Sequence, residues 1–322
     1  MFLRTAPIFV LFAVLNSAPI YAATTTAPIP VRLGYSAMTF TVLPVLFGIE
    51  TGLFQRSGID LKLQQIRGDL TIPAMLNNEL DYAIGVLPTI WAAAEGMPIR
   101  QIAGGQIRPA FSLVAQSSVN SYDDLRGKLV GVSRLRSLAS NLLTVILKKH
   151  GLGINEVRVI SLQTTNNVYL TLDTKQISAG MLSVPLDIKA KLAGYKILAN
   201  AADYTTAYQG GIATTIKKIN DSPDMTEGML AAYVQSLRGV KTNRDTTVDI
   251  IVKHFKVDKA LAAASYEQIA PLFQDTPIIP IDVIETELRA WTELTGKKST
   301  IPVEQTMELA PLQRVLKRLS VK

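Results

Sequence analysis

The apolar residues of this chain switch repeatedly between the period of a strand and that of a helix. Val31-Arg32-Leu33-Gly34-Tyr35 reads as a short strand, Ser36 to Thr41 as a polar-aromatic turn, and Val42 to Thr51 as a helix. Gly52 lies near the end of that helix, where left-handed backbone costs a glycine little. Gln55-Arg56-Ser57-Gly58 turns the chain. Ile59, Leu61 and Leu63 then alternate with Asp60, Lys62 and Gln64, the two-residue period of a strand.

The unit recurs. A helix from Gly68 to about Asn78 precedes the buried strand Tyr82-Ala83-Ile84-Gly85-Val86. Pro88 to Glu95 is a helix, with proline tolerated in its first turn and Gly96 past its end. Ile99 to Ala103 is the next strand. Phe111-Ser112-Leu113-Val114-Ala115 reads as a strand crossing into a second lobe, followed by a helical turn at Asp123 to Lys128 and the strand Leu129-Val130-Gly131-Val132. Ser133 to Ser137 is a loop, and Leu138 to His150 a helix ended by Gly151. Val157 to Leu162, Ile177 to Leu182 and Tyr195 to Leu198 continue the alternation. Tyr208-Gln209-Gly210-Gly211-Ile212 reads as the return. From Met225 the pattern is helical: Met225 to Val240, Asp245 to Phe255, Asp258 to Leu272, Ile281 to Thr295 and Pro311 to Leu319. Repeated βα units predict an α/β fold with doubly wound, mainly parallel sheets. A mature chain of about 300 residues suits two lobes better than one core. The expected division is 30–110 plus 213–322 for one lobe, 111–207 for the other, and 208–212 as a hinge crossing.

The N-terminus stands apart from this pattern. Residues 1–22 carry a single positive residue (Arg4), an apolar run from Ala6 to Leu15 and the small-residue exit Ala18 to Ala22. Those are the three parts of a secretory signal peptide. The run is about 10 residues, whereas a bilayer-spanning helix needs roughly 20. Pro7 and Pro19 oppose the competing reading of a buried first helix. The expected location is therefore the periplasm, with no membrane-spanning segment.

Composition then removes several functions. The absence of cysteine excludes a lipid-anchored lipoprotein, a disulfide scaffold and a cysteine nucleophile. With only two histidines as well, neither a zinc site nor another metal or cofactor is expected. The formal charge of +7 falls to about +6 when Arg4 leaves with the leader. That excess is dispersed and without an aromatic-interleaved basic patch, so nucleic acid is not an expected partner. It is suited to attracting anionic solutes mildly.

Four stretches carry a resemblance. They are Pro44 to Leu61 (P-x-x-x-G-I-E-T-G-L-F-x-x-x-G-I-D-L), Ala74 to Val86 (A-M-L-N-N-E-L-D-Y-A-I-G-V), Asp123 to Ser133 (D-D-L-R-G-K-L-V-G-V-S) and Ile177 to Lys196, ending in A-G-Y-K. In order and spacing they resemble the nitrate/taurine/alkanesulfonate-type periplasmic binding proteins of ABC transporters. That group also holds binding proteins for the thiamine pyrimidine precursor and related synthases. The resemblance implies a type II periplasmic binding protein fold: two lobes, each a doubly wound mixed sheet, joined by two crossings with the ligand between them. It implies a monomer that captures a small solute, anionic in the sulfonate, carboxylate or nitrate manner, for permease and ATPase partners. A pyrimidine thiamine precursor or an aromatic acid is the alternative ligand, and a sensory module or an enzyme of the same fold the alternative role. The departure from the pattern is Arg134-Leu135-Arg136-Ser137, where relatives often place a small Gly-Ser pair.

In open parallel sheets a ligand sits beyond the carboxyl ends of the strands. That rule selects Ser36, Thr39 and Phe40 after the first strand, Asp69 and Thr71, Pro88 and Thr89, Arg134, Arg136 and Ser137, and Ser183, with Tyr208 from the return crossing. Several lie at helix N-termini, where free N–H groups favour an anion. Each has a plainer reading. Asp69 and Thr71 are equally helix caps, Phe40 equally core, the arginines equally solvated surface, and Tyr208 equally packing. His150 ends a helix and His254 sits on a lysine-flanked face, so neither reads as a catalytic base, and no phosphate-binding loop, G-x-S-x-G or H-E-x-x-H is present. No enzyme is expected. Expression with the native leader in a Gram-negative host is expected to yield a soluble periplasmic product beginning near Ala23. N-terminal sequencing checks this, and a full-length cytoplasmic product contradicts it.

Overall fold

The computed structural model describes residues 27–85, 87–135 and 137–320. The leader, Val86 and Arg136 lie outside the described residues. Ten strands form two sheets. The first contains β1 (Ile29–Tyr35), β2 (Ile59–Gln65), β3 (Tyr82–Gly85), β4 (Ile99–Gln106) and β10 (Gly210–Thr215), in the order β2-β1-β3-β10-β4. The second contains β5 (Phe111–Ala115), β6 (Leu129–Val132), β7 (Arg158–Ser161), β8 (Ala179–Ser183) and β9 (Lys196–Asn200), in the order β7-β6-β8-β5-β9.

Both sheets are mixed in the same way. β1 runs parallel to β2 and β3, and β6 parallel to β7 and β8. β10 is antiparallel to β3 and β4, and β5 to β8 and β9. The antiparallel strand of each sheet is the one entered from the other lobe. The two crossings lie side by side, joined by Ala207 N–H to Ile107 O and Gln209 N–H to Gln106 O, both at 2.9 Å. Helices cover the sheets because the central strands are buried throughout; all of β3 and β10 is inaccessible. A strand buried on both faces reads as a continuous apolar run rather than an alternation.

Three short helices, Thr165–Asp173, Leu186–Leu192 and Ile216–Asp221, were not marked by the residue pattern. Thr165–Asp173 is rich in Thr and Asn, weak helix formers. It is held instead by the Thr164 side chain, which accepts from Asn167 N–H at 3.1 Å, and by burial of Val168, Tyr169 and Leu172.

The return strand enters through a gap where no side chain fits. Gly211 lies opposite Gly85. A Cβ on Gly211 would stand 2.1 Å from Ala103 O and 2.7 Å from Tyr208 Oη, and one on Gly85 would stand 2.2 Å from Gln101 Oε1. The main clash is with the backbone of the neighbouring strand β4, which cannot yield cheaply. Gly211→Ala is therefore expected to destabilise the fold by about 1–3 kcal/mol or more, an overpacking cost. Urea unfolding checks this; a midpoint equal to wild type contradicts it.

Candidate functional site

A cavity of about 320 Å³ opens between the two sheets. One wall is the end of β1 and the loop after it, with Tyr35, Ser36 and Thr39, then Phe40. The other includes Ser183 at the end of β8 and Leu138, the first residue of the helix Leu138–Lys149 that follows β6. Gln209 joins from the return crossing. These are carboxyl ends of parallel strands, where adjacent loops diverge and leave room. Its polar lining consists of hydroxyls and carboxamides; the described residues lining it include no Asp, Glu, Lys, Arg, His or Cys.

Ser137 caps the helix Leu138–Lys149. Its Oγ donates to Arg134 O at 2.6 Å and accepts from Ser140 N–H at 3.5 Å, while Ser140 Oγ accepts from Ser137 N–H at 3.1 Å. This reciprocal cap fixes where the helix begins, and hence where Leu138 stands. Phe40 is buried and stacks on Phe255, with centroids 4.3 Å apart and planes inclined by 9°.

A second cavity, of about 430 Å³, shares Leu138 with the first. Its walls are three helix faces: Leu87 and Trp91 on Leu87–Ala94, Leu138 and Asn141 on Leu138–Lys149, and Glu287, Trp291 and Leu294 on Ile281–Thr295. Glu287 Oε1 accepts the Tyr208 N–H at 3.0 Å, and burial pushes its carboxyl above the usual range. Trp91 Nε1 is buried without a hydrogen-bond partner.

Two buried polar clusters brace the cleft. Tyr208 Oη donates to Gln101 Oε1 at 2.9 Å, and Gln101 Nε2 donates to Thr89 Oγ1 at 2.5 Å. Between the lobes, Asp187 is fully buried. It accepts from Ser112 Oγ at 2.6 Å, from the Ile188 N–H at 2.8 Å and from Gln268 Nε2 at 2.6 Å. Gln268 lies on the helix Lys259–Ile269, whose Ala262, Tyr266 and Ile269 pack in the core of the first sheet.

The residues singled out from sequence divide cleanly. Ser36, Thr39, Phe40 and Ser183 come together in the first cavity, and Ser137 lines the second. Asp69 is exposed and paired with Arg67 at 2.6 Å, the short-range ion pair that its position two residues away permits. Thr71 is buried and reaches back to Arg67 O at 3.4 Å. Pro88 is exposed, Thr89 is turned to Gln101, and Arg134 is exposed. Tyr208 is buried beneath the cleft rather than in it, and its neighbour Gln209 takes the cavity position. These six line neither cavity, because local capping or a buried partner already uses their polar atoms, or because they face solvent. Trp91, Glu287 and Trp291 were not anticipated. Among the described residues no group of three or more His, Cys, Asp or Glu gathers as a metal site, and no helix is long and apolar enough to cross a membrane.

A family model described as NMT1/THI5 like matches residues 39–245. A Brucella abortus (strain 2308) protein, provisionally named a binding protein, is 27% identical over 237 residues, covering 72% of this chain and 73% of its own. The periplasmic aliphatic sulphonate binding protein SsuA from Escherichia coli has a TM-score of 0.72 at 18% identity, covering 87% of this chain and 98% of that one. The desulfurization enzyme DszB has a TM-score of 0.69 at 13% identity, covering 90% and 99%. The two sheets are the two-lobed α/β fold of periplasmic binding proteins, and an enzyme shares that fold.

Burial raises the Asp187 carboxyl above its ordinary 3.8, outweighing the Ser112, Gln268 and Ile188 hydrogen bonds that favour the charge. A carboxyl raised on folding contributes stability that is full below its unfolded value and lost as pH rises through the folded value. The stability of wild type minus that of Asp187→Asn is therefore expected to grow in favour of wild type as pH falls from neutral toward the ordinary carboxylate value of 3.8. Urea midpoints across that range check the sign, and a flat or opposite difference contradicts it.

Proposed function

The chain belongs to the NMT1/THI5-like family, and from that premise we propose that it captures a small solute between its lobes and delivers it to an ABC importer in the periplasm. One observation carries this reading: the first cavity takes its walls from both sheets, so a ligand there is fully enclosed only when both lobes contribute. The lobes are 30–110 with 213 onward and 111–207, turning about the paired crossings. The partners are a permease and its ATPase.

Binding is favoured over catalysis by the lining. Catalysis needs a nucleophile with a base, or an acid–base pair, within reach of one another. Among the described residues, the hydroxyls of Ser36, Thr39, Thr41 and Ser183 share the first cavity with no carboxylate or imidazole. Both histidines are engaged elsewhere: His150 Nε2 meets Tyr204 Oη at 2.9 Å, and His254 Nε2 meets Glu50 Oε1 at 2.8 Å. DszB shares the fold as an enzyme, so the argument rests on the site and not on the fold. The sulphonate named for SsuA supports an anionic or strongly polar head, which the hydroxyls and the start of the helix Leu138–Lys149 can accept.

A thermal-shift screen of sulfonates, carboxylates, nitrate and pyrimidines tests this. A true ligand at about 100 times its Kd stabilises the folded protein by about 2.7 kcal/mol. Ser183→Phe, which fills the first cavity, is expected to remove that stabilisation, while Asp69→Ala on the exposed surface keeps it. Retention of the shift by Ser183→Phe contradicts the cleft reading.

A further inference from the structure

The second cavity is larger than the first and chemically unlike it. Three helices present one face each to it, at spacings of three, four and seven residues: Leu87 with Trp91, Leu138 with Asn141, and Glu287 with Trp291 and Leu294. The chain has two tryptophans, and both line this space. A cavity of this size with aromatic walls and few polar groups is the usual form of a site for an organic ligand. It cannot be filled by a small inorganic ion.

Its charged side chains are of one sign. Glu287 and Glu293 line it, and among the described residues its lining includes no Lys, Arg or His. Glu287 spends one oxygen on the Tyr208 N–H, and its other oxygen takes no hydrogen bond among the described residues. A carboxylate half out of water beside apolar walls lacks a donor. Tryptophan faces also attract cations.

We propose that this cavity is a second subsite, which holds an aryl or branched apolar group carrying a protonated amine. Resting on the solute-binding reading above, it assigns the ligand an apolar body with an amine donor for Glu287, its remainder passing Leu138 into the first cavity. The subsite sets specificity by rejecting carboxylate-bearing bodies, which would face Glu287 and Glu293.

The location of both tryptophans makes the test direct. Intrinsic fluorescence is titrated with phenethylamine, phenethyl alcohol and phenylacetate. Phenethylamine is expected to change the emission saturably, the alcohol to bind about tenfold more weakly because it brings no positive charge to the Glu287 carboxylate, and phenylacetate not to bind. Glu287→Gln keeps an acceptor for the Tyr208 N–H and is expected to weaken the amine about tenfold and the alcohol by less, since only the amine loses an opposite charge. Ala290→Phe, which fills this cavity, is expected to abolish the response. The proposal is overturned if no probe alters the emission, if phenylacetate binds as well as the amine, or if Glu287→Gln leaves the amine affinity unchanged. If the amine response fails while Ser183→Phe still removes binding of the screened solute, the second subsite falls and the cleft reading stands. If Ser183→Phe is also without effect, the cleft reading falls on its own result.

Discussion

The return of the chain into the first sheet is the constraint on which the cleft depends. β10 enters antiparallel between β3 and β4 immediately after the second crossing, where Gly85 and Gly211 face one another. The space they leave admits the Tyr208 side chain, whose hydroxyl ends on Gln101. With that ring fixed, three main-chain groups have set positions. Ala207 N–H pairs with Ile107 O, Tyr208 N–H goes to Glu287, and Gln209 N–H goes to Gln106 O. One buried tyrosine and its neighbours thus tie together both crossings, the sheet and the helix Ile281–Thr295. Burial raises the Tyr208 phenol well above its ordinary range, so it stays a neutral donor.

The two buried polar clusters have different characters. Tyr208, Gln101 and Thr89 are neutral, and each hydrogen bond has a donor matched to an acceptor. Such a cluster is costly to leave half-made and so rigidifies the lobe that holds it. Asp187 is a carboxyl in a site that disfavours its charge, bridging Ser112 of β5 to Gln268 of the first lobe's helical layer. A buried carboxyl held by donors from both lobes is costly to leave half-bonded, so it ties Ser112 and Gln268 into one arrangement. Beside it, Val184 and Ile188 pack into the apolar core of the first lobe while Val184 also lines the first cavity. The junction between the lobes therefore adjoins the first cavity.

Much of this architecture was legible in the residues, and its limits are physical. The change from alternating Ile59, Leu61 and Leu63 to helical spacing announced the βα units, because period follows backbone geometry. Ile281–Thr295 was legible from end to end, with Gly296 in left-handed backbone after it. Thr165–Asp173 was not, since its helix is held by a side-chain cap and tertiary packing rather than by propensity. The rule of strand carboxyl ends selected Ser36, Thr39 and Ser183, which line the first cavity and whose positions depend on local topology. It also selected Thr89 and Tyr208, whose side chains the structure turns to Gln101, 12 and 107 residues away. Pairing at that range leaves no local trace. Trp91, Glu287 and Trp291 were hidden for a related reason. Apolar residues at helical spacing look the same whether they face a core or a cavity, and here helices from distant parts of the chain leave a gap.

The central claim is that one ligand contacts both lobes at the strand carboxyl ends. Hydrogen–deuterium exchange, with and without the solute that gives the largest thermal shift, tests it most directly. Slower exchange is expected together at 35–42 in the first lobe, at 137–141 and 183–186 in the second, and at 207–211 in the return crossing. Protection confined to one lobe, or appearing away from these segments, would contradict the account.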